Sequence, residues 1–270
     1  MRINNNVMSM NAHRQLKINT SSQSKSLEKL SSGYAINRAG DDAAGLAISE
    51  KMRGQIRGLQ MASKNSQDGI SMIQTAEGAL GETQSILQRM RELAVQASND
   101  TNVAADRSAI QTEMNELNAE VNRIASNTQF NTQNLLDGSL TTKTIQVGAN
   151  SGEVISLSVS AMDASSLLIS GETIGTTGSA QSAITDINTA ISTVSTQRAK
   201  LGAKQNRLEH TINNLDTAAE NLQASESRIR DVDMAKEMMS YTKSNILNQA
   251  ATAMLAQANQ APQGVLQLLK

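Results

Sequence analysis

The sequence predicts a mainly α-helical protein: a long, coiled-coil-like helical bundle formed by the N- and C-terminal halves, with a small β-hairpin insert. Aromatic residues make up 1% of the 270 residues, so aliphatic side chains and alanine must fill the core, as in long packed helices. Proline, which breaks helices, occurs once, at position 262. Apolar residues also recur at steps of three and four along most of the chain.

The clearest helical pattern lies in the second half of the chain. Ten of twelve positions spaced by three and four residues are apolar over about 40 residues, which predicts the seam of a coiled coil or long bundle. The twelve positions are Ile184, Ile187, Ile191, Val194, Arg198, Leu201, Gln205, Leu208, Ile212, Leu215, Ala219 and Leu222.

The first half carries two further seams. One is widened by a second apolar line, which indicates a helix with more than one neighbour. Its members are Met72, Ala76, Ala79, Thr83, Ile86, Met90, Leu93 and Ala97, widened by Ile73, Leu80, Leu87 and Ala94. The other consists of Ile110, Met114, Leu117, Val121 and Ile124. The polar stretch 98–102 between them predicts a turn and an antiparallel helical hairpin.

Both chain ends have poorer helical seams. The N-terminal seam is Leu16, Thr20, Gln23, Leu27, Leu30 and Tyr34, and the C-terminal one is Leu247, Ala251, Met254, Ala258, Ala261, Val265 and Leu268. Polar and small residues in these seams bury little apolar area, whereas ordering a helix is costly. We therefore expect the ends to be mobile in the monomer and to order when many copies pack together.

The middle of the chain has a different pattern. Residues 144–147 and 153–159 alternate between apolar and polar around the glycine-flanked turn 148–152, which predicts a β-hairpin. Glycines at 171, 175 and 178 indicate loop. Residues before about 130 are then the natural partners of those after about 180.

Several kinds of chemistry are excluded or unsupported. There is no cysteine for a disulfide or a thiolate, and the net charge of -1 gives no reason to expect a nucleic-acid partner. His13 and His210 lie in no metal-binding motif, and the Asp41-Asp42 pair precedes a helical pattern and is interpreted as an N-cap. We predict no catalytic, cofactor-binding or metal site, and no enzyme.

The N-terminal sequence lacks the apolar run of a cleavable signal peptide, so we expect none. The uncharged stretch 244–269 contains eight amide side chains, which are costly to bury in a bilayer, so we expect no membrane insertion. Two function classes remain on this evidence: a self-assembling structural protein, and a soluble coiled-coil adaptor or chaperone. The weak, nearly uncharged ends favour assembly.

Several long segments resemble bacterial flagellin, and in particular short Gram-positive flagellins. The segments are 30–48 (LSSGYAINRAGDDAAGLAI), 64–80 (KNSQDGISMIQTAEGAL), 197–215 (QRAKLGAKQNRLEHTINNL), 226–238 (ESRIRDVDMAKEM) and 254–259 (MLAQAN). The resemblance covers about residues 1–135 and 185–270 in the family's order, while the middle is too short for a large outer domain.

The resemblance implies a subunit of the flagellar filament used for motility, exported unfolded by the flagellar type III apparatus to an extracellular location. It implies an inner, channel-lining domain at 1–42 and 232–270, and a rod domain at 43–231 with a short β-rich segment at about 140–178. The partners implied are other copies of the chain in a helical homopolymer, an export chaperone, the filament cap and the hook-junction proteins. A hook–filament junction protein is the alternative within the family.

Two sets of site residues accompany this interpretation. The residues assigned to the self-assembly helices are Leu16, Leu27, Leu30, Leu247, Ala251, Met254, Ala258, Val265 and Leu268. By resemblance, a face recognised by host Toll-like receptor 5 consists of Gln88, Arg89, Leu93, Gln96 and Glu113. Leu93 also fits the seam of its helix. Spacing alone favours a solvated surface or a subunit contact buried in the filament, and the resemblance favours the receptor instead.

Overall fold

The computed structural model describes residues 6–268, with side chains described as far as residue 260. Within this range the chain forms five helices and two antiparallel two-stranded sheets, which confirms the predicted mainly α class. The elements are α1 (Val7–Ser32), α2 (Ala43–Ala97), α3 (Ala104–Asn127), β1 (Gln129–Phe130), β2 (Gln133–Asn134), β3 (Lys143–Gln146), β4 (Val154–Leu157), α4 (Thr177–Arg230) and α5 (Met234–Leu268).

The chain divides into two compact units. A terminal unit contains residues up to 54 and from 220 onward, and a central unit contains residues 55–219. The domain boundaries predicted from the sequence, 42/43 and 231/232, lie at the breaks between α1 and α2 and between α4 and α5. The boundaries between the two compact units, 54/55 and 219/220, lie inside α2 and α4 instead. Both long helices therefore contribute residues to both units.

The central unit has a continuous aliphatic core. On α4, side chains seven residues apart are buried as the seam predicted: Ile187, Val194, Leu201, Leu208 and Leu215. In the first half of α4, however, the second buried line is Ala183, Ala190 and Gln197, and the predicted Ile184, Ile191 and Arg198 are only half-buried beside it. In this half of α4 one line of the seam is therefore displaced by one residue, with two alanines and Gln197 facing inward and the two isoleucines packed at the edge of the core.

The predicted β-hairpin is present and lies against α2. Ile145 on β3 pairs with Ile155 on β4. The strands span Lys143–Gln146 and Val154–Leu157, so their limits differ from the predicted 144–147 and 153–159. A Cβ atom added at Gly58 would lie 2.9 Å from Cβ of Ala149, and one at Gly69 would lie 2.5 Å from Cδ1 of Ile145. These two glycines on α2 therefore allow the hairpin its close approach.

A second hairpin, β1–β2, was not predicted. Its two-residue loop places Asn131 at φ 47° and Thr132 at φ 62°, the left-handed conformations of a type I′ turn. Threonine is a poor residue for this conformation, so the sequence gives little sign of the turn.

Candidate functional site

Helices α1 and α5 pack against each other in the terminal unit. Asn6 donates from Nδ2 to the Ala258 carbonyl at 2.7 Å, and Asn248 donates from Nδ2 to Oε1 of Gln23 at 2.6 Å. The two helices are antiparallel, because residue numbers increase along α1 while those of the contacting residues on α5 decrease. Asn6 also caps α1, where its Oδ1 accepts from the Ser9 N–H at 3.1 Å.

The seam between these helices is made of polar and small side chains. Up to residue 260, its buried residues are Asn19 and Ser26 on α1 and Ala251 and Ala258 on α5. Such a seam buries little apolar surface, so its contribution to stability is small.

The predicted terminal seams are only partly right. Leu16 and Leu30 are half-buried and Ala251 and Ala258 are buried. Leu27, Leu247 and Met254 are instead 55%, 42% and 64% exposed, and Thr20 is exposed as well. On α5 the four described positions share one side of the helix, but only the two alanines are buried. Val265 and Leu268 lie outside the residues whose side chains the structure describes.

Many large apolar side chains of the terminal unit are exposed. Of the eighteen exposed large hydrophobic residues between positions 6 and 260, thirteen belong to this unit and five to the larger central unit, so the excess is specific to the terminal unit. On α5, an open groove is lined by Met238, Met239, Thr242, Lys243, Ile246 and Leu247. We call the exposed apolar residues of α1 and α5 the outward face; its members are Val7, Met8, Met10, Ile18, Leu27, Met234, Met238, Met239, Ile246, Leu247 and Met254.

The breaks that end α1 and α4 are joined to each other. Tyr34 and Asp231 form an isolated antiparallel bridge, in which the Ala35 N–H donates to the Arg230 carbonyl at 2.6 Å. The Arg230 guanidinium lies 4.8 Å from the centre of the Tyr34 ring and bonds to Glu50 at 2.9 Å. Tyr34, predicted as the end of a helical seam, therefore belongs to this bridge, because α1 already ends at Gly33 in a left-handed conformation.

The Asp41-Asp42 pair has a structural role. Asp42 accepts from the Gly45 N–H at 2.9 Å at the start of α2, as predicted for a cap. Asp41 accepts from the backbone N–H groups of Arg38 and Asn37, and the Arg38 bond is the main cause that lowers the pKa of the Asp41 carboxyl.

His13 and His210 are both exposed on helices. Among the described residues no three acidic, histidine or cysteine side chains are grouped closely enough to bind a metal ion. In the same part of the chain, no helix has a long enough apolar stretch to cross a bilayer.

The predicted receptor face on α2 and α3 is partly assembled. Arg89 donates from Nε to Oε1 of Glu113 at 2.9 Å and from a terminal nitrogen to Glu92 at 3.2 Å. Gln88 and Gln96 are exposed beside this ion triad. Leu93 is 2% exposed and lies in the core, so it is not part of the exposed surface around this triad. Its spacing fits the seam, and the seam is where the structure places it.

Comparison with known proteins covers nearly the whole chain. Residues 3–141 match the bacterial flagellin N-terminal helical region, and residues 184–269 match the bacterial flagellin C-terminal helical region. The chain is 63% identical over 272 residues to a flagellin of Halalkalibacterium halodurans and 54% identical over 304 residues to a flagellin of Bacillus subtilis, with 100% of both chains covered in each comparison. A crystal structure of Bacillus cereus flagellin superposes with a TM-score of 0.51 at 36% identity, covering 60% of this chain and 94% of that one.

Proposed function

Because this chain belongs to the bacterial flagellin family and is a subunit of the flagellar filament, we propose that the outward face of α1 and α5 is the surface through which its copies associate. The observation that carries the proposal is the inverted arrangement of the terminal helices. Polar amides and small residues lie between α1 and α5, while large apolar side chains such as Met239 and Ile246 face away from the pair.

Exposed apolar side chains that line one groove, as Met238, Met239, Ile246 and Leu247 do on α5, are typical of a protein interface. A surface that binds a different part of the next copy generates an open helical polymer. A filament subunit needs such a surface. Full-length similarity to named flagellins favours this role over the alternatives of a hook–filament junction protein and a soluble adaptor.

Charge substitutions test the proposal. Met239→Asp, at a position 68% exposed in the terminal unit, should prevent polymerisation because burying an unpaired carboxylate in a subunit contact is costly. Met61→Asp, at a position 57% exposed on α2 in the central unit, is the matched control and should polymerise. The readouts are sedimentation and electron microscopy of filaments. Normal filaments from Met239→Asp would contradict the proposal.

We propose also that the chain is exported unfolded through the flagellar type III apparatus and functions outside the cell. The small apolar burial between α1 and α5 supports this, since such a pair costs little to separate. The family resemblance supports an export chaperone, the filament cap and the hook-junction proteins as further partners, and a channel-lining position for the terminal helices.

A second proposal concerns host recognition. We propose that Gln88, Arg89, Gln96 and Glu113 form the face recognised by Toll-like receptor 5. The supporting observation is that Arg89, held by Glu113 from the next helix, keeps 50% of its side chain exposed. An arginine held in position in this way is a common anchor in protein interfaces.

A further inference from the structure

Methionine is distributed unevenly over this structure. Twelve of the thirteen methionines lie in the described range, and seven of them are exposed. Six of these seven are on the outward face of the terminal unit, and the other is Met61. The six are Met8, Met10, Met234, Met238, Met239 and Met254. By contrast, Met90, Met114 and Met162 are at most 1% exposed in the central core.

The exposed methionine thioethers are the main targets for a mild oxidant in this protein. The chain has no cysteine and no tryptophan, so no thiol competes for peroxide. Exposure controls which methionines react, because the oxidant must reach the sulfur. Oxidation of the folded monomer should therefore be concentrated on the outward face.

We infer that the outward face is a methionine-oxidation site through which hydrogen peroxide reversibly blocks subunit association. The inference rests on the proposal that this face is the assembly surface. In the reaction, a lone pair on sulfur attacks one oxygen of hydrogen peroxide and the O–O bond breaks. The sulfur becomes a sulfoxide, and the second oxygen leaves as water after proton transfer.

The physical consequence follows from the change in polarity. A thioether is a flexible apolar group that packs well in an interface, whereas a sulfoxide is a polar hydrogen-bond acceptor. Burying it against a second copy without a donor is unfavourable. Met238 and Met239 line one groove on α5, so two sulfoxides there would oppose the same contact.

Assembly should in turn protect the same residues. Once a neighbouring copy covers the outward face, peroxide cannot reach the sulfurs. The monomer is then the oxidant-sensitive form, and the filament is the resistant form. Met61 is a reference inside the same chain, since its oxidation is not expected to affect association.

The experiment treats purified monomer and purified filaments with the same concentration of hydrogen peroxide. Peptide mass spectrometry measures sulfoxide at each methionine, and sedimentation measures the critical concentration for polymerisation. Oxidised monomer should show a critical concentration raised by roughly tenfold or more, because several polar groups must be buried unpaired. Methionine sulfoxide reductases acting on both sulfoxide epimers should restore the original value. Filaments should show less sulfoxide at the six positions.

Substitution by leucine locates the effect. The six exposed methionines are replaced by leucine, which is close in volume and has no oxidisable sulfur. This variant should polymerise equally before and after peroxide, whereas Met61→Leu should remain as sensitive as the unsubstituted chain. The reductase measurement needs no substitution and decides the question independently.

Three results would overturn the inference: an unchanged critical concentration with the six positions fully oxidised, an oxidation effect that the reductases do not reverse, or equal loss of assembly in the leucine variant on treatment. Failure of the untreated, unsubstituted chain to polymerise would instead contradict the proposed function.

Discussion

Asn248 and Gln23 form an amide–amide hydrogen bond of 2.6 Å across the α1–α5 seam, at a place where a coiled coil normally buries two apolar side chains. Such a bond adds little net stability, because both amides bond equally well to water in the unfolded chain. The seam aligns the two helices without holding them firmly.

Replacing both amides by leucine tests this interpretation. Gln23→Leu combined with Asn248→Leu should stabilise the α1–α5 pair in the monomer by about 1–2 kcal/mol, since two partly buried apolar side chains replace the amides. Asn248→Leu alone should give less, because Gln23 then loses its partner. Amide hydrogen exchange in 7–32 and 234–260 measures the effect, and unchanged protection in the double variant would show that the seam does not limit stability.

Removal of α5 should separate assembly from folding. A chain ending at about residue 235 lacks α5 and its outward face, so we expect it not to polymerise. The central unit should melt as in the full chain, because its core contains no residue beyond 219. Sedimentation and thermal melting give the two readouts. Filaments from the shortened chain would contradict the assignment of assembly to the terminal helices.

Leu208→Ala tests the core of the central unit. Leu208 is fully buried on α4, and its truncation should lower the free energy of unfolding by about 2–5 kcal/mol. Ile212→Ala, at a half-buried position one turn further along, should cost less. Denaturant unfolding of the monomer measures both, and an equal or smaller loss for Leu208→Ala would mean that the buried face of α4 is misassigned.

Arg89→Ala should reduce signalling through Toll-like receptor 5, because it removes the anchor held by Glu113 and Glu92. Arg123→Ala is the matched control, since Arg123 is an ion-paired arginine on α3 with 60% of its side chain exposed. A cell-based receptor assay on monomer measures both variants. Full signalling from Arg89→Ala combined with Glu113→Ala would contradict recognition at this face.

Glu172 should make stability depend on pH. Burial, followed by the nearby Asp186 charge, raises the pKa of the Glu172 carboxyl above its usual value. The folded state then retains a proton that the unfolded state has released, so this group's contribution to stability falls as pH rises through the folded pKa. Glu172→Gln should remove that fall. Melting midpoints of the two chains between about pH 4 and pH 8 provide the measurement, and parallel curves would show that Glu172 does not contribute.

The helices of the central unit were largely predictable because hydrophobic burial sets most of their inward positions. Leu208 and Met114 lie at apolar positions with helical spacing, and both are buried within the chain. The same rule misassigned Leu247 and Met254, which are 42% and 64% exposed although their spacing matches that of the buried Ala251 and Ala258. A single sequence does not distinguish an apolar side chain that packs inside its own chain from one that packs against another copy.

The geometry of the proposed receptor face was predictable only in part, for a related reason. Arg89 and Glu113 are far apart in sequence, and the pairing of α2 with α3 that joins them depends on tertiary packing. Leu93 shares the local motif but lies on the buried side of α2. The β1–β2 turn was not predicted because its two central residues are Asn131 and Thr132, and neither is the glycine that usually marks such a turn.

The inverted arrangement of α1 and α5 has a consequence for mutational tolerance. A surface helix of a globular protein keeps one side in water, and substitutions on that side are nearly neutral. When neighbouring copies cover the outward face, that neutral side is lost, because Asn19 and Ala251 already occupy the inner seam. Substitution scanning should then find α1 and α5 intolerant around their whole circumference, whereas the solvent side of α4 accepts change freely.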